Sequence, residues 1–400
     1  MRVLIVSQYF YPEEFKINDL AEELVKRGHE VTVLTGKPNY PKGEFFEGYR
    51  FWGTQEENYK GAKVVRVPLI RRRSGGTIWL VLNYFSYVFF GGLYMLTHKM
   101  PYDAIFCFET SPITQAYPAI WAKRKSKAKL SMWVQDLWPE SVSAASNIKN
   151  PKIINLIDKM VKGIYNKCDK LLIQSRAFSE SIQVKGDYSE KIIYAPNWAE
   201  DVFLQNNIDK DKYADMIPEG FVVMFAGNIG EAQDFDSIVS AASLTKEYSD
   251  IKWVIVGDGR YRAKAQEMVS SNGLNDTVSF LGRFPVTEMP NFFVHADAML
   301  MSLKDEYIFS LTIPSKTQAY MANGRPILTM INGVGNDVVK EANCGLVAHA
   351  GDSRTLAENV IKLSKLNKED LLQMGKNGRD YYMSNFAKEQ VVNIIEDCLE

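Results

Sequence analysis

Residues Phe221 to Arg260 read FVVMFAGNIGEAQDFDSIVSAASLTKEYSDIKWVIVGDGR. Phe221–Ala226 is an uninterrupted apolar run, the composition of a strand covered on both faces. Gly227-Asn228-Ile229-Gly230 breaks it, and Asp236–Tyr248 then carries apolar residues at helical spacing. Lys252–Val256 is a second apolar run, closed by Gly257-Asp258-Gly259-Arg260. Strand, glycine loop, helix, strand and glycine loop in that order make a parallel sheet with helices on its faces. The pattern continues with a helix at Arg262–Ser271 and strands at Val278–Leu281, Ala298–Met301, Pro326–Thr329 and Gly345–Val347.

The same alternation runs through the first half. Arg2–Ser7 is a short apolar strand, Asp19–Arg27 a helix stopped by Gly28, and Glu30–Thr35 a second strand. Further strands are expected at 62–67, 104–108, 130–134, 170–174 and 191–195. The polar stretch Glu200–Glu219 (200–219) reads as a linker. The predicted fold class is therefore α/β, with two doubly wound, Rossmann-like domains facing across a cleft. The first spans residues 1–199 and the second 220–375, and a helix over 376–400 returns to the first domain.

Composition narrows the function. Apolar residues make up 46% and charged residues 24% of the 400, so a packed globular chain is expected. Forty-seven basic and 48 acidic residues leave a net charge of −1, without the basic excess of a nucleic-acid partner. Cys107, Cys168, Cys344 and Cys398 form no CxxC pair, and the four histidines are scattered. A zinc site or disulfide framework is not expected, and a reducing cytoplasm fits.

In doubly wound sheets ligands bind beyond the carboxyl ends of the strands, which directs attention to the loops there. Gly227–Gly230 can offer backbone N–H groups to an anion at a helix start. Gly257-Asp258-Gly259-Arg260 lacks the third glycine of a dinucleotide fingerprint, since Arg262 stands there, so NAD is disfavoured. Ile313-Pro314-Ser315-Lys316 precedes a short helix, and its Ser hydroxyl and Lys charge suit a diphosphate. Asp234-Phe235-Asp236 has the form of a metal-binding DxD, but a helix start explains its acids equally well. Asp136, in Val134-Gln135-Asp136-Leu137-Trp138-Pro139-Glu140, is a candidate base or ligand for an acceptor hydroxyl, or a helix cap. Asn39-Tyr40-Pro41-Lys42-Gly43 offers an aromatic for gripping a ring, or is a plain turn. Glu13, Lys16 and Arg176 stand on the same class of loop, as site groups or as surface charges.

Ser74–Thr97 departs from the pattern with 24 residues, none of them charged, behind Arg71, Arg72 and Arg73. Its length permits a membrane span. Asn83, Ser86, the tyrosines and Gly91-Gly92 lower its apolarity. Basic residues beside an apolar helix fit attachment in the membrane interface, with Trp79, Tyr84 and Phe89 as contacts. The alternative is a buried helix with ordinary aromatic packing.

Together these segments resemble the family-4 retaining glycosyltransferases of GT-B fold. The likeness rests on SQYFYPEE with RGHEVTVLTGKPNYPKG, then QDLWPES, APNWAEDVF, FAGNIG with IVGDGR and FLGR, and IPSKTQAYMANGRPI. It covers nearly all of the chain. The YFYPEE, PNYP, DLWPE and PSK group is similar to the bacterial branch that adds amino-deoxy sugars such as N-acetyl-L-fucosamine during O-antigen or capsule assembly. The resemblance implies a UDP-sugar donor on the second domain. Gly227, Asn228, Ile229 and Gly230 would then pack against its diphosphate, and Gly257, Gly259, Arg260, Gly282 and Arg283 would line the nucleoside. Pro314, Ser315 and Gln318 would complete the donor site around Lys316. Many relatives carry a Glu pair at the positions of Leu311 and Ala319 here, and an Arg and a Lys where Asn228 and Gln233 stand.

The expected reaction is metal-independent transfer with retention, without a cofactor. Lys316 neutralises the leaving diphosphate and Asp136 orients the acceptor hydroxyl. Glu13, Lys16, Asn39, Tyr40 and Arg176 are the expected acceptor contacts. The expected acceptor is a sugar on polyprenyl diphosphate, met by a peripheral protein at the cytoplasmic face of the inner membrane. The rivals are a nucleotide-sugar epimerase and a non-catalytic nucleotide-sugar-binding relative.

Overall fold

The computed structural model describes residues 1–73, 76–99, 101–145, 150–205 and 208–400, the side chains of 143–145 excepted. Ser74 and Gly75 of the apolar stretch, and Asn206 and Asn207 of the expected linker, lie outside the described residues. The chain forms two compact units, Met1–Pro196 with Val391–Glu400, and Asn197–Gln390.

The first unit holds β1 (Arg2–Val6), β2 (Glu30–Thr35), β3 (Gln55–Tyr59), β4 (Ala62–Arg66), β5 (Ala104–Glu109), β6 (Lys129–Val134), β7 (Lys170–Ile173) and β8 (Ile192–Tyr194). They form one sheet in the order β3-β4-β2-β1-β5-β6-β7-β8. Every pairing is parallel except β3 with β4, where Gln55 stands opposite Arg66. The sequence reading missed β3 because QEENY has no apolar run. Charged residues on an edge strand keep it from pairing with other chains.

The second unit holds β9 (Phe221–Ala226), β10 (Ile251–Val256), β11 (Val278–Gly282), β12 (Ala298–Ser302), β13 (Ile327–Met330) and β14 (Gly345–Ala348). Their order is β11-β10-β9-β12-β13-β14, all parallel. Apolar layers cover both faces, one with Met224, Val254 and Phe293, the other with Phe225, Trp253 and Leu300.

Two boundaries differ from the sequence reading. The stretch 200–219 is built into the second unit rather than linking two units. Phe203 is buried in its core and stacks on Phe293 at 5.6 Å, and Tyr213 stacks on Phe292 at 4.1 Å. The charges around these aromatics gave the stretch its linker-like composition. The tail is two helices, Lys368–Asn385 and Lys388–Asp397, broken at Phe386. The first belongs to the second unit, where Tyr382 Oη accepts from the Ala199 amide at 3.2 Å. The residues after Val391 belong to the first unit, held by Glu396 to Arg27 (2.8 Å) and His29 (2.6 Å).

The helix Thr77–Thr97 is long and apolar enough to cross a membrane, yet one face of it is docked. Tyr87 Oη donates to Leu34 O at 3.0 Å, and Asn83 Nδ2 donates to Ile70 O at 2.6 Å. A Cβ on Gly92 would stand 2.1 Å from the Trp121 ring, so this contact requires glycine. The opposite face is bare. Ile78, Leu82, Phe85, Phe89, Leu93 and Leu96 recur at helical spacing, and all are exposed.

Gly92→Val should therefore destabilise the first unit by about 2 kcal/mol, because the Trp121 ring must leave its packed position to admit the new side chain. Gly163→Ala, in the helix Pro151–Lys167 with nothing within 4 Å of the new Cβ, should stabilise it by about 0.5–1 kcal/mol. Urea unfolding checks both, and equal effects of one sign would contradict the packing described.

Candidate functional site

Strand order in the second unit reverses direction between β9 and β12, the point at which doubly wound sheets bind their ligands. The two glycine loops interlock beside it. Ile229 N donates to Asp258 O (2.9 Å), Tyr261 N to Ile229 O (3.0 Å), and Gly257 N to Gly282 O (2.7 Å). A Cβ on Gly257 would stand 1.8 Å from Gly227 O, and one on Gly259 would stand 2.2 Å from Ile229 O. Gly227 and Gly257 also take φ of +137° and +152°. Only glycine allows backbones this close in this conformation.

The helix Ser315–Asn323 begins at this crossing. Tyr320 fixes it, donating through Oη to Ala226 O (3.2 Å) and accepting from Ala226 N (3.3 Å). Thr317 Oγ1 adds a contact to Met301 Sδ at 3.3 Å. Lys316 is thereby laid across Gly227, whose added Cβ would stand 2.8 Å from Lys316 Cε. Its ammonium lies 3.6 Å over the Phe225 ring. It has no carboxylate partner among the described residues, and loss of water lowers its pKa to about 7. An unpaired cation, a glycine backbone and a helix start at one point make an anion site.

The other donor-side residues divide into two groups. Asn228, Arg260, Arg283 and Ser315 are exposed, Pro314 is the extended residue that starts the helix, and Gly282 has φ of +89°. Ile229 and Gln318 face inward, against expectation. Ile229 is core, so only its backbone serves the loop. Gln318 is fully buried, and its amide nitrogen donates to Pro314 O (3.0 Å) and Ser315 O (3.3 Å). It holds the loop that presents Lys316 rather than a ligand. Ala319 lies in the hydrophobic core, where a carboxylate would be costly to bury without a partner. Asp236 accepts from Tyr261 Oη and lies 3.5 Å from Lys264.

In the first unit the order reverses between β1 and β5, and Gln8 N crosses that point to Gln115 Oε1 at 2.8 Å. Asp136, beyond the end of β6, is half-buried and accepts from Ser111 N at 2.9 Å. The sequence reading missed its neighbour Glu109, the last residue of β5. Glu109 is completely buried, has no cation paired with it among the described residues, and only the backbone amides of Asp136 and Gln135 favour its charged form. Burial, and then the charge of Asp136, push its pKa well above the carboxylate range. The signal was present as a Glu closing the otherwise apolar run AIFCFE.

Two expected acceptor contacts are internal struts. Glu13 is buried and accepts from the amides of Phe10 (3.2 Å), Asn39 (2.8 Å) and Tyr40 (2.7 Å), while burial raises its pKa to about 7. Asn39 is buried, donating to Lys37 O (3.0 Å) and accepting from Arg72 N (3.0 Å). Backbone demand consumes both groups, which loop sequence alone does not reveal. Tyr40 is 39% exposed and packs against Tyr9 and Phe15. Lys16 opens the helix Lys16–Lys26 half-buried, and Arg176 is exposed over the Tyr194 ring at 4.1 Å.

The basic cluster ahead of the apolar helix is also divided. Arg71 pairs with Glu44, and Arg73 stacks on Trp79 at 3.5 Å. Arg72 and Tyr84 turn into the loop cluster, with Arg72 Nη2 3.4 Å from Tyr84 Oη, so they are not outward contacts. Phe89 is 65% exposed.

Glu109 keeps a proton in the folded chain that the unfolded chain sheds near pH 4.3. It therefore weakens the fold increasingly as pH rises above that value. Glu109→Gln should raise the melting temperature at about pH 8 and change it little near pH 4.5. Calorimetry at the two values tests this, and an equal shift at both would contradict it.

The comparisons with known proteins agree with this geometry. Residues 15–198 match the family model described as Glycosyl transferase 4-like domain, and residues 208–381 match Glycosyl transferases group 1. The chain is 25% identical over 299 residues to the Escherichia coli (strain K12) protein named "Putative colanic acid biosynthesis glycosyl transferase WcaI", covering 70% of this chain and 71% of that one. It superposes on sucrose-phosphate synthase from Thermosynechococcus elongatus with TM-score 0.78 at 15% identity, covering 99% and 97% of the two chains. Anabaena HepE in complex with UDP-glucose superposes with TM-score 0.70 at 14% identity, covering 100% and 99%. Both matched models are glycosyltransferases, which removes the epimerase alternative. With one model on each of its two α/β units, the chain belongs to the glycosyltransferases of GT-B fold.

Proposed function

We propose that this glycosyltransferase moves an N-acetylated amino-deoxy sugar, such as N-acetyl-L-fucosamine, from a UDP-sugar to a lipid-linked glycan in bacterial surface polysaccharide synthesis. The observation that carries the donor side is the unpaired Lys316 ammonium laid against the Gly227 backbone. A diphosphate leaving group develops negative charge as the glycosidic bond breaks, and a preset cation beside backbone amides stabilises that charge. UDP as the nucleotide is in keeping with the UDP-glucose complex of HepE, and a surface glycan with the colanic acid role in the name of WcaI. Transfer proceeds with retention and needs no metal, because Lys316 supplies the cation. Asn228 and Gln233 stand where many relatives carry an Arg and a Lys, so Lys316 bears more of the charge neutralisation here. Asp136 orients the acceptor hydroxyl.

The acceptor side is read from the helix Thr77–Thr97. Its bare face, with Phe85 at 67% and Phe89 at 65% exposure, continues into Trp52 at 70%. Isolated exposed apolar residues need no explanation, but a continuous stripe of this length marks an interaction surface. Arg71 and Arg73 stand at its start and would meet anionic headgroups. The protein thus works as a peripheral enzyme on the cytoplasmic face of the inner membrane, and polyprenyl diphosphate carries the acceptor sugar.

UDP at about 100 times its Kd should stabilise the second unit by about 2.7 kcal/mol, unchanged by EDTA. Lys316→Ala should remove most of that gain and abolish transfer from UDP-N-acetyl sugars. Stabilisation that requires a divalent ion, or an active Lys316→Ala protein, would refute the donor reading. Vesicles containing anionic phospholipid should sediment the protein, and the Phe85→Asp, Phe89→Asp double variant should stay in the supernatant with UDP binding intact. Equal sedimentation of both proteins would refute the membrane reading.

A further inference from the structure

Arginines of the first unit are held in two ways: some pair with carboxylates, whereas Arg72, Arg73 and Arg176 lie against aromatic rings, and Arg72 alone of these three is shared by several rings. Arg2 pairs with Asp103, Arg27 with Glu396, Arg66 with Glu57 and Arg71 with Glu44. Arg72 has no carboxylate partner among the described residues. Its guanidinium instead sits among three tyrosine rings, 5.3 Å from the centroid of Tyr40, 5.7 Å from Tyr9 and 5.9 Å from Tyr84. Aromatic faces attract a cation without occupying its N–H donors. Only the weak 3.4 Å contact to Tyr84 Oη uses one of them. The nearby Glu13 carboxyl is already engaged by three backbone amides.

The backbone around Arg72 is locked as well. Its amide donates to the buried Asn39 side chain at 3.0 Å, and Asn39 also takes a 3.5 Å contact from Asn83 of the apolar helix. The next residue, Arg73, donates its amide to Gly43 O at 2.8 Å. A Cβ on Gly43 would stand 1.6 Å from Arg73 O, so the two loops touch through backbone. A preset planar fork with free donors is the usual means of binding a phosphate or carboxylate.

Two neighbours define which anion fits. The first is the apolar helix, beginning at Thr77 with its bare stripe. The second is Asp136, near enough to Tyr84, the ring that Arg72 touches at 3.4 Å, for its charge to act there. We infer that Arg72 binds the diphosphate of the lipid-linked acceptor, with the prenyl tail along the helix and the sugar over Tyr40 towards Asp136. This rests on the lipid-linked acceptor proposed above, and it changes the role of Arg72 from a membrane-surface cation to a substrate contact.

The test uses the full chain saturated with UDP and titrated with farnesyl diphosphate or farnesyl monophosphate. The wild type should bind the diphosphate more tightly than the monophosphate. Arg72→Ala should weaken diphosphate binding by about tenfold or more, and should lose most of the preference over the monophosphate. Arg72→Lys should fall between them, because a point charge lacks the planar fork. Arg71→Ala should bind farnesyl diphosphate as the wild type does. An unchanged urea-unfolding transition of the first unit in each variant shows that the unit carrying Arg72 is folded, and unchanged UDP binding shows the same for the second. If the wild type does not bind farnesyl diphosphate, the lipid-linked acceptor reading fails and this inference falls with it. If the wild type binds but Arg72→Ala binds equally well, only the Arg72 assignment is overturned. That assignment is overturned too if Arg72→Ala loses adhesion to anionic vesicles while keeping farnesyl diphosphate.

Discussion

The ammonium of Lys316, 3.6 Å above the Phe225 ring and without a counter-charge among the described residues, is the constraint around which the second unit is organised. Removing a cation from water is unfavourable unless something compensates. The ring face offsets part of that cost. The rest is carried by the surrounding fold, which leaves the lysine little choice. Tyr320 ties its helix to the end of β9, Gln318 braces the preceding turn, and the glycine loops close beneath it. The strain-free way to satisfy the charge is an anion supplied from outside, against Gly227.

The first unit uses charge in the opposite sense. Glu13 holds three loop amides together, and Glu109 lies neutral beneath Asp136. Neither carboxyl is available to a ligand as a free anion. What remains for binding is Asp136, the exposed Tyr40 and the arginine caged by tyrosines. Four X-Pro bonds in these loops are cis, at Pro12, Pro41, Pro112 and Pro139. In the mechanism proposed above the two units divide the chemistry, with the Lys316 cation for the leaving group in one and an ordered aromatic and carboxylate surface for the acceptor in the other.

The fold was legible because parallel strands buried on both faces must be apolar runs, as in FVVMFA and KWVIV. The helix at Arg262–Ser271 was read to the residue. Gln55–Tyr59 escaped because an exposed edge strand needs no apolar run. The aromatics Phe203 and Tyr213 escaped because charged neighbours masked them. The placement of Lys316 beside the glycine loops was legible because a cation at a glycine-rich helix start has little structural use. Glu13, Asn39 and Gln318 were misjudged because a polar side chain turned inward to bind backbone looks the same in sequence as one turned outward. Glu109 was passed over because its significance lies in complete burial without a paired cation, which depends on the neighbouring strands. Arg72 and Arg73 are adjacent in sequence, yet the Gly43 contact and the Asn39 bond send Arg72 inward.

Whether Lys316 awaits an anion is tested most directly by proton linkage. A lysine whose pKa lies near 7 in the free protein is mostly neutral at about pH 8.5, and a bound diphosphate raises that pKa. UDP should then be titrated calorimetrically at about pH 8.5 in buffers of different ionisation enthalpy. The wild type should take up about one proton and Lys316→Ala about none. Binding without proton uptake by the wild type, or equal uptake by both proteins, would contradict it.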